Sequence, residues 1–291
     1  MYKTWSTPVQ DEARLKIPCA LCDGEDFVPY LRCAGFAYVR CKRCSLVQMN
    51  PQPDEAAVKR RYSGADYFEY ELENEKAFFN LGLLALADAG FYAIEEGLRP
   101  EERRVLDIGC ATGALLGYLA GRGWRAEGVE INGKQAEYAR RERGLTIHER
   151  PLEENQFPTG SFSVIIASHL IEHLRRPHSF LAETRRILTP RGHLLLTTPN
   201  CTGFQARLYA NKWRSAIFDH LYLFSVKTIS RLLREEGFHI EKTVTWGGLA
   251  AGSAPRPVKT LFDKLAKPLG FGDVVMIKAA APLFQCLKFN R

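Results

Sequence analysis

Short apolar segments alternate with amphipathic segments over the last two thirds of the chain. Apolar runs predict strands at 104–108, 125–129, 145–148, 163–168, 193–198, 239–245 and 273–279. Segments with helical spacing predict helices between them, at 113–122, 132–143, 178–188 and 226–236. This alternation predicts an α/β fold, in which a parallel seven-stranded sheet carries helices on both faces.

The first hundred residues follow a different pattern. Residues 1–50 hold five cysteines, four of them in two close pairs. Residues 51–100 begin with two prolines and continue with helical spacing and many aromatic residues. We expect three units: a small module at 1–50, a helical cap or linker at 51–100, and the α/β domain at 101–291. Insertions near 200–225 and 250–270 are expected on the substrate side.

Composition and charge narrow the class of protein. The 291 residues are 46% hydrophobic, which is enough for one large core and a small second unit. The net charge is +7, but four pairs of neighbouring arginines, at 103–104, 140–141, 175–176 and 185–186, indicate a solvated face. Residues 255–291 carry seven Lys or Arg against two Asp. Any peripheral contact with a membrane or an acidic partner is therefore expected through this tail.

The amino terminus has no apolar core typical of a signal peptide. The longest apolar stretch, 77–94, is interrupted by Asn80 and Asp88. These features predict a cytoplasmic chain without a transmembrane segment.

Four cysteines follow the spacing C-x2-C-x18-C-x2-C, which is typical of a zinc ribbon with four thiolate ligands: Cys19, Cys22, Cys41 and Cys44. Two residues between thiolates let one turn present both sulfurs to a tetrahedral ion. A shell closed by four protein ligands predicts structural Zn²⁺ rather than a catalytic metal. The alternatives are a disulfide pair or a redox-active Cys-x-x-Cys.

The turn after the first sheet strand reads "VLDIGCATG", from Val105 to Gly113. In an open α/β sheet a ligand binds outside the carboxyl ends of the strands, so this turn is the expected cofactor site. The glycines do not form the dinucleotide motif G-x-G-x-x-G, and no Gly-Lys-Ser/Thr of a P-loop follows. The next strand ends at Glu130, whose carboxylate is suited to accept both hydroxyls of a ribose. The alternative is that the glycine turn has no ligand and serves only as a tight connection between strand and helix.

These residues resemble the class I S-adenosylmethionine-dependent methyltransferases. "VLDIGCATG" is similar to their first motif and "GVEIN" to their ribose-binding strand end. The segment "SFSVIIASHLIEHLRRPHSFLAETRRILTPRGHLLLTTPN" is similar to their fourth and fifth strands. With the ribbon and "DHLYLFSVKTISRLLREEGF", the chain resembles a bacterial branch associated with sugar and cell-surface polysaccharide biosynthesis. The resemblance implies a Rossmann-like methyltransferase sheet preceded by the zinc ribbon.

The resemblance also implies S-adenosylmethionine as the cofactor and a set of residues around it. Gly109 and Gly113 would let the backbone approach the amino-acid part of the cofactor, and Asp107 would support their turn. Glu130 would hold the ribose. The remaining expected cofactor neighbours are Ile131 and Leu152, on either side of the adenine, together with Cys110 and Ser168.

A methyl acceptor that is a hydroxyl needs a base. His169, Glu172 and His173 follow the fourth strand of the motif, where the mouth of the sheet opens, and an imidazole titrates near neutral pH. The alternative is that "EHL" begins a helix and serves packing. His220, in the substrate-side loop, is a weaker candidate.

The expected activity is methyl transfer to a small molecule, with a sugar nucleotide or a lipid-linked glycan as the form of the acceptor. Sugar C-methyltransferases that share the ribbon carry a further carboxyl-terminal domain, for which the 291 residues of this sequence leave no room. Transfer to oxygen or nitrogen is therefore expected rather than transfer to carbon. An RNA methyltransferase of the ribosomal type with a zinc module is an alternative. Two features disfavour a nucleic-acid substrate. The sequence shows no stripe of basic residues interleaved with aromatic ones, and the fifth strand ends in "TTPN" rather than in the N-P-P-Y motif used on flipped bases. A non-catalytic binding module is the remaining alternative.

Overall fold

A computed structural model describes residues 14–54, 57–58, 65–248 and 256–283. The strands of this part, in chain order, are β1 (Arg14–Leu15), β2 (Phe27–Cys33), β3 (Phe36–Cys41), β4 (Val47–Met49), β5 (Gln52–Pro53), β6 (Arg104–Ile108), β7 (Arg125–Val129), β8 (Thr146–His148), β9 (Phe162–Ser168), β10 (Leu188–Pro199), β11 (Tyr222–Leu223), β12 (His239–Trp246) and β13 (Val274–Ala280).

The main sheet has seven strands in the order β12-β13-β10-β9-β6-β7-β8. Strands β6 to β10 pair in parallel, as expected for strands joined by helical crossovers. The expectation of a wholly parallel sheet is wrong for β13, which is antiparallel to both β10 and β12. The last residue of β12, Trp246, pairs with the first residue of β13, Val274. The chain therefore enters β13 at the end of the sheet where it left β12, and β13 runs antiparallel to β12.

The helices are α1 (Ala65–Ala89), α2 (Phe91–Gly97), α3 (Ala114–Gly121), α4 (Gly133–Arg143), α5 (Pro177–Ile187), α6 (Phe204–Tyr209), α7 (Val226–Glu235) and α8 (Arg256–Leu269). Local capping explains several boundaries. The side chain of Asn132 accepts hydrogen bonds from the backbone of the first turn of α4, and Gly144 ends that helix at φ 65°. Ser225 and Thr228 form a capping box at the start of α7.

The core lies on both faces of the main sheet. Because successive strand residues point to opposite faces, Val105 and Leu106 belong to two different clusters. One cluster packs the sheet against α5 and α7, and the other packs it against α1, α3 and α4. Helices therefore cover both faces, as predicted.

The amino-terminal module shares a sheet with the rest of the chain. Strands β2, β3 and β4 are antiparallel, and β11 extends this sheet by pairing with β4. Tyr222 lies opposite Gln48 and Leu223 opposite Val47. The module is thus joined by strand pairing to the segment that precedes α7.

The segment predicted as a helical cap contains α1 and α2, which meet at Gly90 with φ 72°. Within the described residues no single helix has both the length and the apolar composition needed to cross a bilayer. Residues 68–89 of α1 and helix α2 meet that criterion only when taken together, across a 62° bend. The basic tail is described over 256–283, as α8 and β13, and residues 284–291 lie outside the described part.

Candidate active site

The glycine turn connects β6 to α3 with three residues in the left-handed region, Gly109, Ala111 and Gly113. Gly109 has φ 75° and donates its N–H to the carbonyl oxygen of Val129 at 2.8 Å. Gly113 also has φ 75°, where a Cβ would lie 2.6 Å from Leu145 Cδ1. The turn therefore requires glycine at 113 for space as well as for backbone conformation.

The carboxylate of Glu130 is bound to the backbone of this turn. Its Oε2 accepts the N–H of Ala111 at 3.0 Å, and its Oε1 accepts the N–H of Asn132 at 2.8 Å. Burial raises the pKa of Glu130, and these backbone donors oppose the increase. Each oxygen has a further lone pair, so the carboxylate retains capacity to accept hydroxyls of a ligand.

Asp107 lies on β6, one residue before the end of the strand, and is buried. Burial, with a smaller contribution from the Glu130 carboxylate, raises the pKa of Asp107 to about 7. Two buried carboxyl groups, those of Asp107 and Glu130, thus lie at the carboxyl ends of neighbouring parallel strands.

The other predicted cofactor neighbours occupy different environments. Ile131 is 49% exposed directly after the buried Glu130, whereas Leu152 is buried in a 3₁₀ helix, Leu152–Glu154, after β8. Ser168 is the last residue of β9 and is half-buried. Cys110 is buried in the core cluster with Leu116, and a Cβ on Gly128 would lie 2.5 Å from its sulfur. Its thiol is therefore a core group.

These residues fit S-adenosylmethionine on two observations. First, the exposed side chain of Ile131 follows the buried carboxylate of Glu130, so an apolar surface that suits the adenine stands next to an acceptor that suits the ribose hydroxyls. The backbone at Gly109 carries no side chain, and the nearest atom to a Cβ built there, Leu170 Cδ1, is 3.5 Å away. Gly109, Glu130 and Ile131 are the residues that would hold the cofactor.

The segment after β9 brings His169 and Glu172 together. His169 has φ 51°, is 44% exposed, and places Nδ1 3.3 Å from Glu172 Oε1. Glu172 is fully buried, and its Oε2 accepts the hydroxyl hydrogen of Thr198 at 2.9 Å. Burial opposes ionisation of Glu172, but the neighbouring histidines outweigh it and hold its pKa at about 2.

His173 and His220 form the other side of this cluster. Their rings meet edge to face at 4.7 Å between centroids. His173 Nδ1 pairs with the carbonyl oxygen of Asp219 at 2.9 Å, and His220 Nδ1 pairs with that of Ser215 at 2.8 Å. Burial lowers the pKa of His220 to about 3, so this ring is neutral. The weaker candidate of the sequence analysis thus lies beside the stronger ones, and Thr198 joins them although no sequence signal singled it out.

The four predicted zinc ligands form one cluster. All four sulfurs lie within 4.8 Å of one another, and the shortest separations are 3.3 Å for Cys19 and Cys44 and 3.6 Å for Cys22 and Cys41. A disulfide would require about 2.05 Å, so these are free thiols. Zn–S bonds of ~2.3 Å in a tetrahedron place sulfurs roughly 3.8 Å apart, which this cluster nearly matches.

The two halves of the ribbon have the same local geometry. The N–H of Asp23 donates to the carbonyl oxygen of Cys19 at 2.8 Å, and that of Ser45 donates to Cys41 at 2.9 Å. Asp23 and Ser45 both have positive φ, at 56° and 68°. Each Cys-x-x-Cys pair therefore forms an equivalent turn that directs two sulfurs to one point, as the sequence predicts for structural Zn²⁺.

Comparison with known proteins identifies the class. A family model described as a methyltransferase domain matches residues 84–243, more than half of the chain. The chain belongs to this family, and its seven-stranded sheet is that of the class I S-adenosylmethionine-dependent methyltransferases.

Among individual proteins, the chain is similar to the ubiquinone biosynthesis O-methyltransferases of Maricaulis maris (strain MCS10) and Caulobacter sp. (strain K31). The first is 33% identical over 129 residues, covering 40% of this chain and 50% of that protein. The second is 32% identical over 108 residues, covering 35% of this chain and 43% of that protein. The chain spans about half the length of the curated relatives it matches.

Two solved structures cover most of the described fold. A methyltransferase from Thermotoga maritima, described as a possible histamine N-methyltransferase, is 26% identical with a TM-score of 0.53, covering 74% of this chain and 98% of that one. A methyltransferase from Archaeoglobus fulgidus is 21% identical with a TM-score of 0.52, covering 72% and 99%. The second likeness shows the fold alone.

Proposed function

We propose that the chain catalyses S-adenosylmethionine-dependent methylation of a hydroxyl oxygen on a small molecule. The observation that carries this proposal is the arrangement at the carboxyl edge of the sheet. The glycine turn and Glu130 lie after β6 and β7, and the cluster of His169 and Glu172 lies after the adjacent β9. The proposed binding site for the methyl donor and a group of titratable side chains would therefore lie at the same end of the sheet.

The cofactor would supply an activated methyl group on a sulfonium. Glu130 would accept the ribose hydroxyls through the lone pairs that its backbone donors leave, and Ile131 would pack on the adenine. Asp107, Gly109 and Gly113 would keep the turn open for the amino-acid part. Leu152 and Ser168 would border the pocket, and Cys110 would contribute only its backbone.

His169 is the proposed base for the acceptor. It is the most exposed member of its cluster, and its Nδ1 lies 3.3 Å from Oε1 of the buried Glu172 carboxylate. On transfer, an oxygen–methyl bond forms, the sulfur–methyl bond breaks with its electrons left on sulfur, and the hydroxyl proton passes to His169. Proximity and alignment would supply most of the rate, since the leaving group is already activated.

The acceptor is proposed to be a sugar or glycan precursor, following the resemblance of the ribbon and the segment 219–238 to the polysaccharide branch. A hydroxyl of a ubiquinone precursor is the second candidate, because the chain is similar to proteins named as ubiquinone biosynthesis O-methyltransferases. A sugar diol and a catechol both present two oxygens on adjacent carbons, so both classes serve as test acceptors.

Nucleic acid is disfavoured as the acceptor by the pairing of the basic side chains. Many of the described arginines lie within ion-pair distance of a carboxylate, among them Arg122, Arg140, Arg143, Arg186, Arg214 and Arg231. Arginines already paired within the fold have less charge to offer phosphates. Two of them, Arg140 and Arg186, belong to the neighbouring pairs that the sequence analysis interpreted as a solvated face.

The proposed binding site for the methyl donor is tested by calorimetry with S-adenosylhomocysteine. Glu130→Gln replaces one acceptor oxygen by an amide donor, so we expect roughly tenfold weaker binding or more. Glu153→Gln is the matched control, because Glu153 is exposed on the 3₁₀ helix at the same edge. Equal affinity for the two variants would remove the ribose assignment. The acceptor is then identified by incubating the full chain and labelled S-adenosylmethionine with sugar nucleotides and, separately, with catechols.

A further inference from the structure

Three side chains at the acceptor end of the site converge on one point. The possible ligand atoms of Glu172, His173 and His220 all lie within 4.8 Å of one another. Glu172 and His220 are buried, and His173 is half-buried. They come from two distant parts of the chain, the 3₁₀ helix Ile171–His173 and the loop before β11.

Both imidazoles are oriented by the backbone. Because the Nδ1 atoms of His173 and His220 face carbonyl oxygens, each Nδ1 carries the proton and donates it. Nε2 is then the ring nitrogen of each histidine that is left to bind an ion. A carbonyl that fixes the tautomer through Nδ1 is the usual support of a histidine that binds a metal through Nε2.

The carboxylate of Glu172 has one oxygen engaged and one available. Oε2 accepts the hydroxyl hydrogen of Thr198, whereas Oε1 accepts no well-formed hydrogen bond and lies 3.3 Å from His169 Nδ1. Glu172 is fully buried, and a buried carboxylate oxygen without a donor is costly. An ion bound at this oxygen would satisfy it.

We propose that Glu172, His173 and His220 bind a divalent transition-metal ion such as Mn²⁺, Fe²⁺ or Zn²⁺. Three protein ligands leave coordination positions open for an acceptor that presents two neighbouring oxygens, either a vicinal diol of a sugar or a catechol. The ion orients the acceptor and favours loss of its hydroxyl proton. Glu172 and His173 thereby act as ligands rather than bases. The role of the acceptor rests on the proposed function, but binding of the ion does not.

The two metal sites of this chain differ in chemistry, so they are separable by the choice of probe. The ribbon offers four thiolates, which select Zn²⁺, and the second site offers two nitrogens and an oxygen, which also suit Mn²⁺. The probe is therefore Mn²⁺, titrated into the full-length protein with Zn²⁺ already in the ribbon. Electron paramagnetic resonance of the free Mn²⁺ counts the bound ions.

We expect one Mn²⁺ per chain in the unaltered protein, and at least tenfold weaker binding in Glu172→Gln and in His220→Gln. His239→Gln is the control, because His239 is exposed at the start of β12 and its loss leaves the cluster intact. Failure of the unaltered protein to bind Mn²⁺ overturns the proposal, and this measurement needs no variant to fold. Undiminished binding in both variants overturns it as well.

The role of the ion in methyl transfer is tested separately from its binding. Methyl transfer by the Zn²⁺-ribbon protein should increase at least tenfold when Mn²⁺ is added, and Glu172→Gln should abolish this increase. A rate that Mn²⁺ leaves unchanged would overturn the role of the ion in the reaction. If Mn²⁺ binds but no hydroxyl acceptor is methylated, the proposed function fails while the metal site stands.

Discussion

The hydroxyl of Tyr38 in the ribbon lies 2.8 Å from the carbonyl oxygen of His220 in the loop beside the candidate active site. The same hydroxyl lies 2.7 Å from the carbonyl oxygen of Ile217. Tyr38 is buried on β3, so one donor of the ribbon is shared by two carbonyls of the substrate-side loop. The ribbon therefore holds the backbone that presents the His220 ring.

Replacing Tyr38 by phenylalanine tests this contact. The change leaves the ring in place and removes the donor of two carbonyl oxygens, so we expect a loss of about 1–3 kcal/mol in the free energy of unfolding. Urea denaturation measures it. Tyr30→Phe is the matched control, since Tyr30 is only half-buried and donates at 3.2 Å to a single carbonyl, that of Cys201. Equal losses in the two variants would contradict a special role for Tyr38.

Alanine substitutions at glycines with a left-handed φ should lower the free energy of unfolding by different amounts, depending on the space around the new Cβ. Gly144→Ala sets the cost of a left-handed φ alone, about 1–2 kcal/mol, because nothing lies within 4 Å of its Cβ. Gly113→Ala should cost a further 1–3 kcal/mol or so, because its Cβ would meet Leu145 at 2.6 Å and Ala139 at 3.1 Å. Thermal unfolding should rank Gly113→Ala clearly below Gly144→Ala.

Gly109→Ala separates stability from cofactor binding. Its Cβ would approach Leu170 no closer than 3.5 Å, so its loss of stability should resemble that of Gly144→Ala. Calorimetry with S-adenosylhomocysteine should nevertheless show weaker binding for Gly109→Ala than for Gly144→Ala, because the new methyl group of Gly109→Ala occupies the proposed pocket. Normal affinity of this variant would place the cofactor elsewhere.

Asp107 predicts how stability depends on pH. Its folded pKa of about 7 lies above its ordinary value of 3.8, so the folded chain retains a proton that the unfolded chain releases. The contribution of this residue to stability is therefore full below pH 4 and is lost as the pH rises to about 7. Asp107→Asn should flatten the curve of unfolding free energy against pH in this window, by roughly 4 kcal/mol at most.

The control for this curve is Asp26→Asn, the same chemical change at an exposed aspartate in the ribbon. It should reproduce the slope of the unaltered protein between pH 4 and 7. Parallel curves for Asp107→Asn and the unaltered protein would show that the buried carboxyl does not hold a proton in this range.

Local patterns in the sequence determine most of the main sheet. The predicted ranges located six of its strands to within one residue. The signal was strongest for central strands such as Phe162–Ser168, which is almost wholly buried and has a nearly continuous apolar sequence. The start of β10 was misplaced. The sequence "TPRG" predicts a turn, whereas the structure continues the strand through it with a register shift between Leu188 and His193.

Other features depend on contacts between distant residues, and no local pattern contains them. The direction of β13 depends on where the chain re-enters the sheet, and an apolar run is the same in either direction. Pairing of β11 with β4 joins residues more than 170 positions apart. The sequence therefore located His169, Glu172 and His173 as candidates but did not predict that His220 and Thr198 would lie beside them.

Removal of zinc is expected to affect more than the ribbon. Mass spectrometry of the native chain should find bound Zn²⁺, and Cys41→Ser should bind one Zn²⁺ fewer, because the remaining thiols leave the shell of the ribbon open. Since metal binding and folding of such a module are coupled, loss of the ion should release β3 and β4. Strand β11 would then lose its partner, and the loop containing His220 would lose Tyr38.

Hydrogen exchange measures this transmission directly. Peptides covering 214–225 should exchange faster in the zinc-free chain, together with those of the ribbon, because their protecting contacts come from β4 and Tyr38. Peptides covering β12 provide the internal control, since this strand pairs only with β13 in the described sheet. Faster exchange confined to 14–54 would mean that the loop keeps its structure without the ribbon. Faster exchange in both segments would establish the ribbon as the support of the acceptor side of the site.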